Sequence, residues 1–375
     1  MEYTTYKLSD ILKIGNGKDH SSLDDGEYPV LGSGGIMRYA NQYLYDGESV
    51  LLPRKGTLNN IQYIKGKFWT VDTCYYTIIN QEKVVPYYLY RMLRYLDLSG
   101  LDSGASIPSM TSKCYYGIKI KLPSISTQRR IASILSTYDN LIENNNKRIK
   151  ILEQMAENLY KEWFVRFRFP GHETTSLENG IPKGWTVQRM NDFCHVTDGT
   201  HDSPKPVEEG VPLITGKCIS NGFIDFDEAY FISLKDHENI KKRSGLSTGD
   251  ILFSNIGTVG NCCIVDYNQE FSVKNVIIFK PNNTSKTAYL YYWMLNDSMQ
   301  AVFATQTNGA SQQFVSLNFM RRHKILVPEL KVLTAFGNII KPIIEQKNIL
   351  QKTNDNLIKQ RDLLLPRLMS GKLAV

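Results

Sequence analysis

The chain has 375 residues, of which 42% are hydrophobic and 22% are charged, and its formal net charge is +7. This composition is that of a globular protein with room for roughly two or three domains, and it excludes a disordered chain. Because no apolar run reaches the roughly 18 residues of a membrane span, we expect a cytoplasmic protein with no membrane partner. The positive charge favours an anionic partner such as nucleic acid.

The first 125 residues alternate short strand-like runs with turns that contain Gly, Asn and Asp. The runs at 49–52 and 68–79 have the β-branched and aromatic composition that is typical of strands. Residues 86–96 follow them and have the apolar spacing of an amphipathic helix. This mixture predicts a globule of strands and helices over residues 1–125.

Residues 126–168 have the pattern of one long helix. No Gly or Pro occurs from Ile125 to Phe169. Apolar residues recur there at alternating spacings of four and three, which predicts a coiled-coil seam. The seam positions are Ile131, Leu135, Tyr138, Ile142, Asn145, Ile149, Leu152, Ala156, Leu159 and Trp163. Apolar residues outside the seam, namely Ile134, Leu141 and Ile151, predict a further protein-binding face.

Residues 169–330 repeat the character of the first globule, with strand-like runs at 250–253 and 271–279 and a helix at 287–295. Residues 331–375 then repeat the long helix. Its seam positions are Phe336, Ile340, Ile343, Lys347, Leu350, Asn354, Leu357, Arg361, Leu364 and Leu368. Pro342 and Pro366 predict a bend or a boundary in this helix.

The chain therefore contains two diverged copies of one module. Gly104-Ala105-Ser106 recurs as Gly309-Ala310-Ser311, and the second seam repeats the register of the first, both 205 residues later. A duplicated module predicts pseudo-twofold symmetry, in which the two long helices pair antiparallel and hold the globules apart. A seam of about 33 residues at roughly 1.5 Å per residue would make a rod of about 50 Å. Polar Asn145, Asn354 and Lys347 on the seam predict a specified pairing.

The sequence lacks the motifs of a self-contained enzyme. No phosphate-binding loop of the G-x-x-x-x-G-K-[ST] form occurs. The six histidines are dispersed, and the six cysteines form no CxxC pair. We therefore expect no catalytic residues and no metal site in this chain.

Two polar loops are candidates for DNA contact in the first globule. Readout requires hydrogen-bonding groups at base edges and cations at phosphates, and Arg suits guanine while Asn suits adenine. The candidate residues are Arg54, Lys55, Thr57, Asn59, Asn60, Lys65, Lys67 and Ser106. The alternative is that these loops are polar only because they are solvated.

The matching loops of the second globule carry less charge, which predicts that amides and water contribute more to base readout there. The candidate residues are Lys217, Ser254, Asn255, Thr258, Asn261, Lys274, Asn275, Ser311, Gln312 and Gln313. The two glutamines suit adenine. Ordinary loop polarity is again the alternative.

Four segments resemble one known family, the specificity subunits of type I restriction-modification systems. The segment STQRRIASILSTYDNLIENNNKRIKILEQMAENLYKEWFVRFRFPG resembles the central repeat of that family, and NDNLIKQRDLLLPRLMSGKL resembles its distal repeat. Gly184 to Val187 is similar to the start of a target-recognition domain, and Phe253 to Gly260 is similar to a motif inside such domains. The helix entries depart from the family pattern, since Gln128 here lacks the preceding glutamate.

The resemblance implies an α+β chain with two mixed α/β target-recognition domains, at residues 1–125 and 169–330, separated by the paired helices. It implies a non-catalytic subunit whose two domains each read one half of a bipartite, asymmetric site in double-stranded DNA. The helices would set the spacer and dock two methyltransferase subunits that methylate adenine with S-adenosylmethionine. Motor-nuclease (restriction) subunits would add ATP- and Mg-dependent cleavage, and this chain itself would bind no cofactor.

Two other readings remain open from the residues alone. One is a coiled-coil adaptor whose globules bind protein rather than DNA. The other is a nuclease or methyltransferase that acts alone, which the missing motifs disfavour.

Overall fold

A computed structural model describes residues 2–56, 58–96, 98, 109–307, 314–373 and 375. The chain divides into two compact units. Unit 1 comprises Met1–Asn145 and Thr353–Val375, and unit 2 comprises Asn146–Lys352. Within the described residues, no helix combines the length and the apolarity that crossing a membrane requires.

The first globule is built around one mixed sheet. Its strands are β1 (Thr4–Lys7), β2 (Leu12–Asn16), β3 (Asp25–Gly32), β4 (Gly35–Ala40), β5 (Tyr45–Pro53), β6 (Gln62–Thr70), β7 (Cys74–Ile79) and β8 (Lys119–Leu122). Its helices are α1 (Pro86–Tyr95) and α2 (Ser112–Gly117). The main sheet has the order β2-β7-β5-β6-β3-β4, and β1 pairs with β8. The run predicted at 68–79 is thus the end of β6, a turn and β7.

The first long helix, α3, spans Ile125–Tyr160 and continues into a π-helical turn at Lys161–Val165. The strands that follow are β9 (Leu177–Glu178), β10 (Ile181–Pro182), β11 (Thr186–Arg189), β12 (His195–Asp198), β13 (Val211–Ile214), β14 (Ile219–Ser220), β15 (Phe223–Ile224), β16 (Tyr230–Ile232), β17 (Ile251–Ser254), β18 (Cys262–Ile264), β19 (Ser272–Val273), β20 (Val276–Lys280) and β21 (Lys324–Val327). The helices are α4 (Met190–Phe193), α5 (Leu234–Ser244), α6 (Thr284–Leu295), α7 (Asp297–Thr307), α8 (Leu317–Arg322) and α9 (Leu330–Met369).

The duplication seen in the sequence extends to the strand pairing. The order β2-β7-β5-β6 of unit 1 is repeated as β12-β20-β17-β18 in unit 2. The antiparallel pair β1 and β8 is likewise repeated as β11 and β21. The parallel pair of β3 with β6 has a counterpart in β13 with β19. The two globules are therefore copies of one topology.

In unit 1 the two long helices run antiparallel. Asn145 Nδ2 donates to Asn354 Oδ1 at 2.9 Å, and Arg361 Nη1 lies 2.8 Å from Asp139 Oδ1. Both asparagines are buried at the seam, as are Ile131 and Leu135. A hydrogen-bonded polar pair in an apolar seam disfavours other registers of the two helices.

In unit 2 the helices are again antiparallel, and their seam joins an aromatic core. The rings of Tyr160 and Phe336 are 6.3 Å apart, and Lys347 Nζ lies 2.8 Å from Glu153 Oε1. The seam residues Ala156 and Ile340 are fully buried. Each predicted seam residue is buried or half-buried, and none is exposed.

Neither proline forms a boundary of the second helix, so that part of the prediction was wrong. Helix α9 continues through Pro342 and Pro366, both exposed. Each proline removes one backbone hydrogen bond at the solvent side of the helix. The buried seam residues on the other side stabilise the helix across both positions.

Candidate nucleic-acid interface

The predicted contact loop after β5 lies at one end of the strands of the main sheet of unit 1, which is called the sheet edge. Strand β5 ends at Pro53, which pairs with Cys74 at the start of β7. Strand β2 ends at Asn16, which pairs with Tyr75 of the same strand. The segments after β2, after β5 and before β7 are therefore neighbours.

A backbone clamp fixes the loop that follows β5. Arg54 N donates to Thr73 O at 2.8 Å, and Met110 N donates to Arg54 O at 3.0 Å. Lys55 forms an isolated antiparallel bridge with Ser109. Because these bonds involve only main-chain atoms, the side chains of Arg54 and Lys55 are not needed to hold the loop in place.

The candidate side chains of this loop differ in exposure. Lys55 and Asn59 are exposed, whereas Arg54 is half-buried with its guanidinium 5.9 Å from the centre of the Tyr75 ring. Asn60 Nδ2 donates to Ser33 O at 2.6 Å, which ties the loop to the turn between β3 and β4. Thr57 and Ser106 lie outside the described residues.

Lys65 and Lys67 lie elsewhere in unit 1. Both project from the middle of β6, where Lys65 is opposite Glu48 and Lys67 is opposite Asp46. Lys65 Nζ is 3.3 Å from Glu48 Oε1, and Lys67 Nζ is 4.9 Å from the centre of the Tyr43 ring. The structure does not bring these two lysines to the sheet edge that holds Arg54.

Unit 2 has the same arrangement at the equivalent edge. Strand β17 ends at Ser254 opposite Val276, and β12 ends at Asp198 opposite Ile277. Val315 N donates to Asn255 O at 2.9 Å, and Ile256 bridges to Phe314. The bond from Met110 to Arg54 in unit 1 is thereby repeated residue for residue. Ser311, Gln312 and Gln313 lie outside the described residues.

Two predicted contacts of unit 2 are not on the surface. Ser254 is 0% and Asn255 is 5% exposed. Asn255 Nδ2 donates to Val315 O at 3.1 Å, so this amide holds the clamp together. This corrects the expectation that both side chains lie in a solvent-facing loop.

The other polar side chains of this loop also make internal hydrogen bonds. Thr258 Oγ1 donates to Gly216 O and Asn261 Nδ2 donates to Ile219 O, both at 2.9 Å. These bonds fix the loop against the segment that carries exposed Lys217. Lys217 thus lies beside the loop, as a phosphate contact would require.

A charged network at the same edge was not found from the sequence. Asp198 Oδ1 lies 2.5 Å from Arg243 Nη2, and its Oδ2 lies 2.8 Å from His201 Nε2. The other ring nitrogen of His201 is 2.9 Å from Asn275 Oδ1, and Lys274 Nζ donates to Ser203 Oγ at 2.7 Å. The predicted contacts Lys274 and Asn275 therefore belong to a cluster of hydrogen-bonding groups that DNA could contact.

Five of the six cysteines are buried, and Cys114 is half-buried. Burial raises the pKa of Cys74, Cys194 and Cys262 to about 12. These three thiols are therefore protonated at neutral pH and behave as small apolar groups. In the described part of the chain, no three His, Cys, Asp or Glu residues are grouped as metal ligands would be.

Comparison with known proteins identifies the family. The model of the type I restriction modification DNA specificity domain matches residues 1–154 and 182–360. The chain belongs to this family. It is a specificity subunit, which confirms the resemblance seen in the sequence.

Individual specificity subunits are similar along most of the chain. The MjaIX specificity subunit of Methanocaldococcus jannaschii is 26% identical, covering 100% of this chain and 94% of its own length. The EcoDI specificity subunit of Escherichia coli is 24% identical, covering 80% of this chain and 71% of its own length. The crystal structure of the S subunit from M. genitalium has a TM-score of 0.65 at 14% identity, covering 98% of this chain and 96% of that one.

These comparisons confirm the predicted α+β fold class and the predicted role in DNA sequence recognition. Specificity subunits are non-catalytic, so the reading as a self-contained nuclease or methyltransferase is not supported. The reading as a protein-binding adaptor is not favoured, because the matched family domain is a DNA specificity domain.

Proposed function

We propose that the two units read the two halves of a bipartite, asymmetric DNA site. The observation that supports this most strongly is the repeated backbone clamp, from Met110 to Arg54 and from Val315 to Asn255. Both clamps sit at the same edge of the same strand order, yet they present different side chains. Equivalent scaffolds with unlike surfaces suit two unlike half-sites on one duplex.

The paired helices are proposed to set the spacer between the half-sites. Helix α3 has 36 residues, a length of about 54 Å at 1.5 Å per residue, and it contributes to both units. A continuous helix with a buried seam resists bending and stretching, so the spacer length would be fixed by the chain.

The exposed apolar residues of the helices are the proposed docking face for two methyltransferase subunits. Leu141 and Leu363 are exposed in unit 1, and Ile151, Met155 and Ile349 are exposed in unit 2. Ile134, which the sequence placed on this face, instead packs against the core of unit 1. Apolar patches on helices of a polar protein are typical of surfaces that bind partners.

The complex so formed would be an adenine methyltransferase. S-adenosylmethionine would be held by the methyltransferase subunits, and ATP and Mg by the motor-nuclease subunits, with no cofactor on this chain. The test is to mix the purified chain with its methyltransferase subunits, S-adenosylmethionine and duplex DNA. Adenine methylation at one bipartite sequence is expected only in the full mixture. Methylation without this chain, or at sites that lack two separated parts, would contradict the proposal.

The bases of both half-sites and their spacing can be found in the same system. Whole-genome mapping of methylated adenine is expected to give one split motif in cells that carry the gene and no such motif in cells from which it is deleted. A motif that survives the deletion would assign recognition to a different chain.

A further inference from the structure

An apolar surface lies in the middle of the polar sheet edge of unit 2. Phe314 is 46% exposed although it is a large aromatic residue, and half-buried Ile256 bridges to it through the backbone. Gly257 follows with a φ of +74°, and a Cβ placed on it would meet no other atom of the described residues within 4 Å. An apolar side chain held in this way at a proposed DNA-reading edge is available to a ligand.

The surroundings of Phe314 fit DNA as that ligand. Lys217 is exposed next to Gly216, whose carbonyl oxygen accepts the hydrogen bond from Thr258. Lys274 and Asn275 directly precede β20, whose first residue, Val276, pairs with Ser254 at the same edge. An apolar contact flanked by cations and amides matches the groove of a duplex, in which phosphates border the base edges.

Thymine is the base that such a contact would select. In the major groove, hydrogen-bonding groups distinguish most base-pair edges, and the C5-methyl group of thymine is the apolar feature that a phenylalanine can contact. Loss of one methyl group from an apolar contact weakens binding about fourfold.

The matching bridge of unit 1 is not apolar. The residues at the matching bridge are Lys55 and Ser109, both polar. The same backbone geometry therefore presents charge and a hydroxyl group in one unit and an aromatic ring in the other.

We propose that unit 2 reads the C5-methyl group of thymine in its half-site through Phe314, supported by Ile256. This inference rests on the proposed function, since it assigns a base feature to the DNA-reading edge of unit 2. Phe314 is a specificity residue in this scheme, and Lys217 supplies a phosphate contact beside it.

The test uses the assembled complex of this chain with the methyltransferase subunits and duplexes that carry the mapped site. Thymine is replaced by uracil, which lacks only the C5-methyl group, in one half-site at a time. Dissociation constants are measured by fluorescence anisotropy. One half-site is expected to lose about fourfold in affinity for each contacted thymine, and the other is expected to be unaffected.

Variants assign that loss to Phe314. Phe314→Ser, which introduces the residue of unit 1, is expected to bind thymine and uracil duplexes equally. Phe314→Leu keeps an apolar contact and is expected to retain most of the discrimination. Phe231→Ala is the matched control, because Phe231 lies on β16 of the same unit and is 41% exposed. This variant is expected to leave the ratio of the affinities for thymine and uracil duplexes unchanged.

The outcomes separate this inference from the proposed function. Equal affinity of the wild-type complex for thymine and uracil in both half-sites would overturn the inference, whether or not the variants fold. Discrimination that persists in folded Phe314→Ser would overturn it as well. If the wild-type complex binds the unsubstituted site no more tightly than DNA of random sequence, the proposed function is overturned instead.

Discussion

The proposed DNA-reading edges of unit 1 and unit 2, at the ends of β5 and β17, share a backbone arrangement and differ in their side chains. The residue after β5 in unit 1 is Arg54, and the equivalent residue after β17 in unit 2 is Asn255. Arg54 is half-buried, with its guanidinium 5.9 Å from the centre of the Tyr75 ring, whereas Asn255 is buried and holds the clamp. Main-chain hydrogen bonds make the scaffold in both units, and in unit 2 the side chain of Asn255 adds to it, so only the side chain of Arg54 is free to diverge without loss of a scaffold bond. Unlike surfaces on copies of one fold are what an asymmetric DNA site requires.

The contacts that join globule and helix differ in a similar way. In unit 1 a buried cation, Arg91 of α1, pairs with Asp139 of α3. In unit 2 the buried cation is Lys347 of α9, which pairs with Glu153 and lies 5.7 Å from the centre of the Tyr291 ring on α6. The positive charge thus comes from the globule in unit 1 and from the long helix in unit 2.

The largest expected effect concerns the buried ion pair of unit 1. Asp139→Ala would leave Arg91, whose side chain is 4% exposed, without its carboxylate, and it would also remove a partner of Arg361. The free energy of unfolding of unit 1 should fall by about 3 kcal/mol, as for other broken buried ion pairs. Urea unfolding followed by circular dichroism measures the change.

Two further variants show how the loss of stability depends on the burial of the ion pair. Asp362→Ala removes a more exposed carboxylate from the same Arg361 and should cost less than about 0.5 kcal/mol. Lys347→Met should cost less than Asp139→Ala, because the carboxylate that remains, Glu153, is 29% exposed and can be hydrated. Equal losses in Asp139→Ala and Asp362→Ala would show that burial of Arg91 does not decide the cost.

The comparison of the reading edges predicts opposite effects for equivalent residues. Arg54→Ala should reduce affinity for the cognate site by about 1 to 3 kcal/mol while leaving unfolding and complex assembly unchanged. Asn255→Ala removes a buried hydrogen bond and should instead lower the stability of unit 2 by about 1 kcal/mol. Methylation assays with urea unfolding on both variants distinguish the two. Unchanged methylation in Arg54→Ala would remove that residue from the interface.

Lys217 offers a smaller test at the edge of unit 2. If it contacts a phosphate, Lys217→Ala should weaken binding to all sequences alike and reduce the slope of log affinity against log salt by about 1. Lys65→Ala is the matched control, since Lys65 lies on β6 away from the reading edge. A reduced slope in both variants would mean that the lysines act only through net charge.

The smallest expected effect concerns pH. His323 of unit 2 occupies the position of Ile118 in unit 1, and burial lowers the pKa of His323. Its neutral form is therefore favoured in the folded state, so its contribution to stability is complete above the ordinary pKa of 6.5 and is lost as the pH falls through the folded-state pKa. His323→Ile should flatten this part of the curve of stability against pH. If the stability of His323→Ile depends on pH in the same way as that of the wild type, this part of the curve is not caused by His323.

The sequence predicted the long-range architecture well because the seam and the repeats follow simple periodicities. The four-three spacing from Ile131 onward marked the buried face of α3, and the 205-residue offset marked the copies. The continuation of α9 through Pro342 was not predictable from local propensity, since tertiary packing overrides it. The burial of Asn255 and the pairing of Asp198 with Arg243 depend on how distant segments meet at the sheet edge, which no local pattern records.

The main-chain clamp has a consequence for how such a protein can change over generations. Substitutions at position 54 alter a side chain that makes none of the bonds holding its loop, so mutational drift there can explore new targets while the scaffold stays intact. At position 255 the side chain is itself part of the scaffold, and most substitutions would carry a folding penalty. Position 54 therefore tolerates more substitutions than position 255, and laboratory selection for altered specificity should find variants at position 54 first.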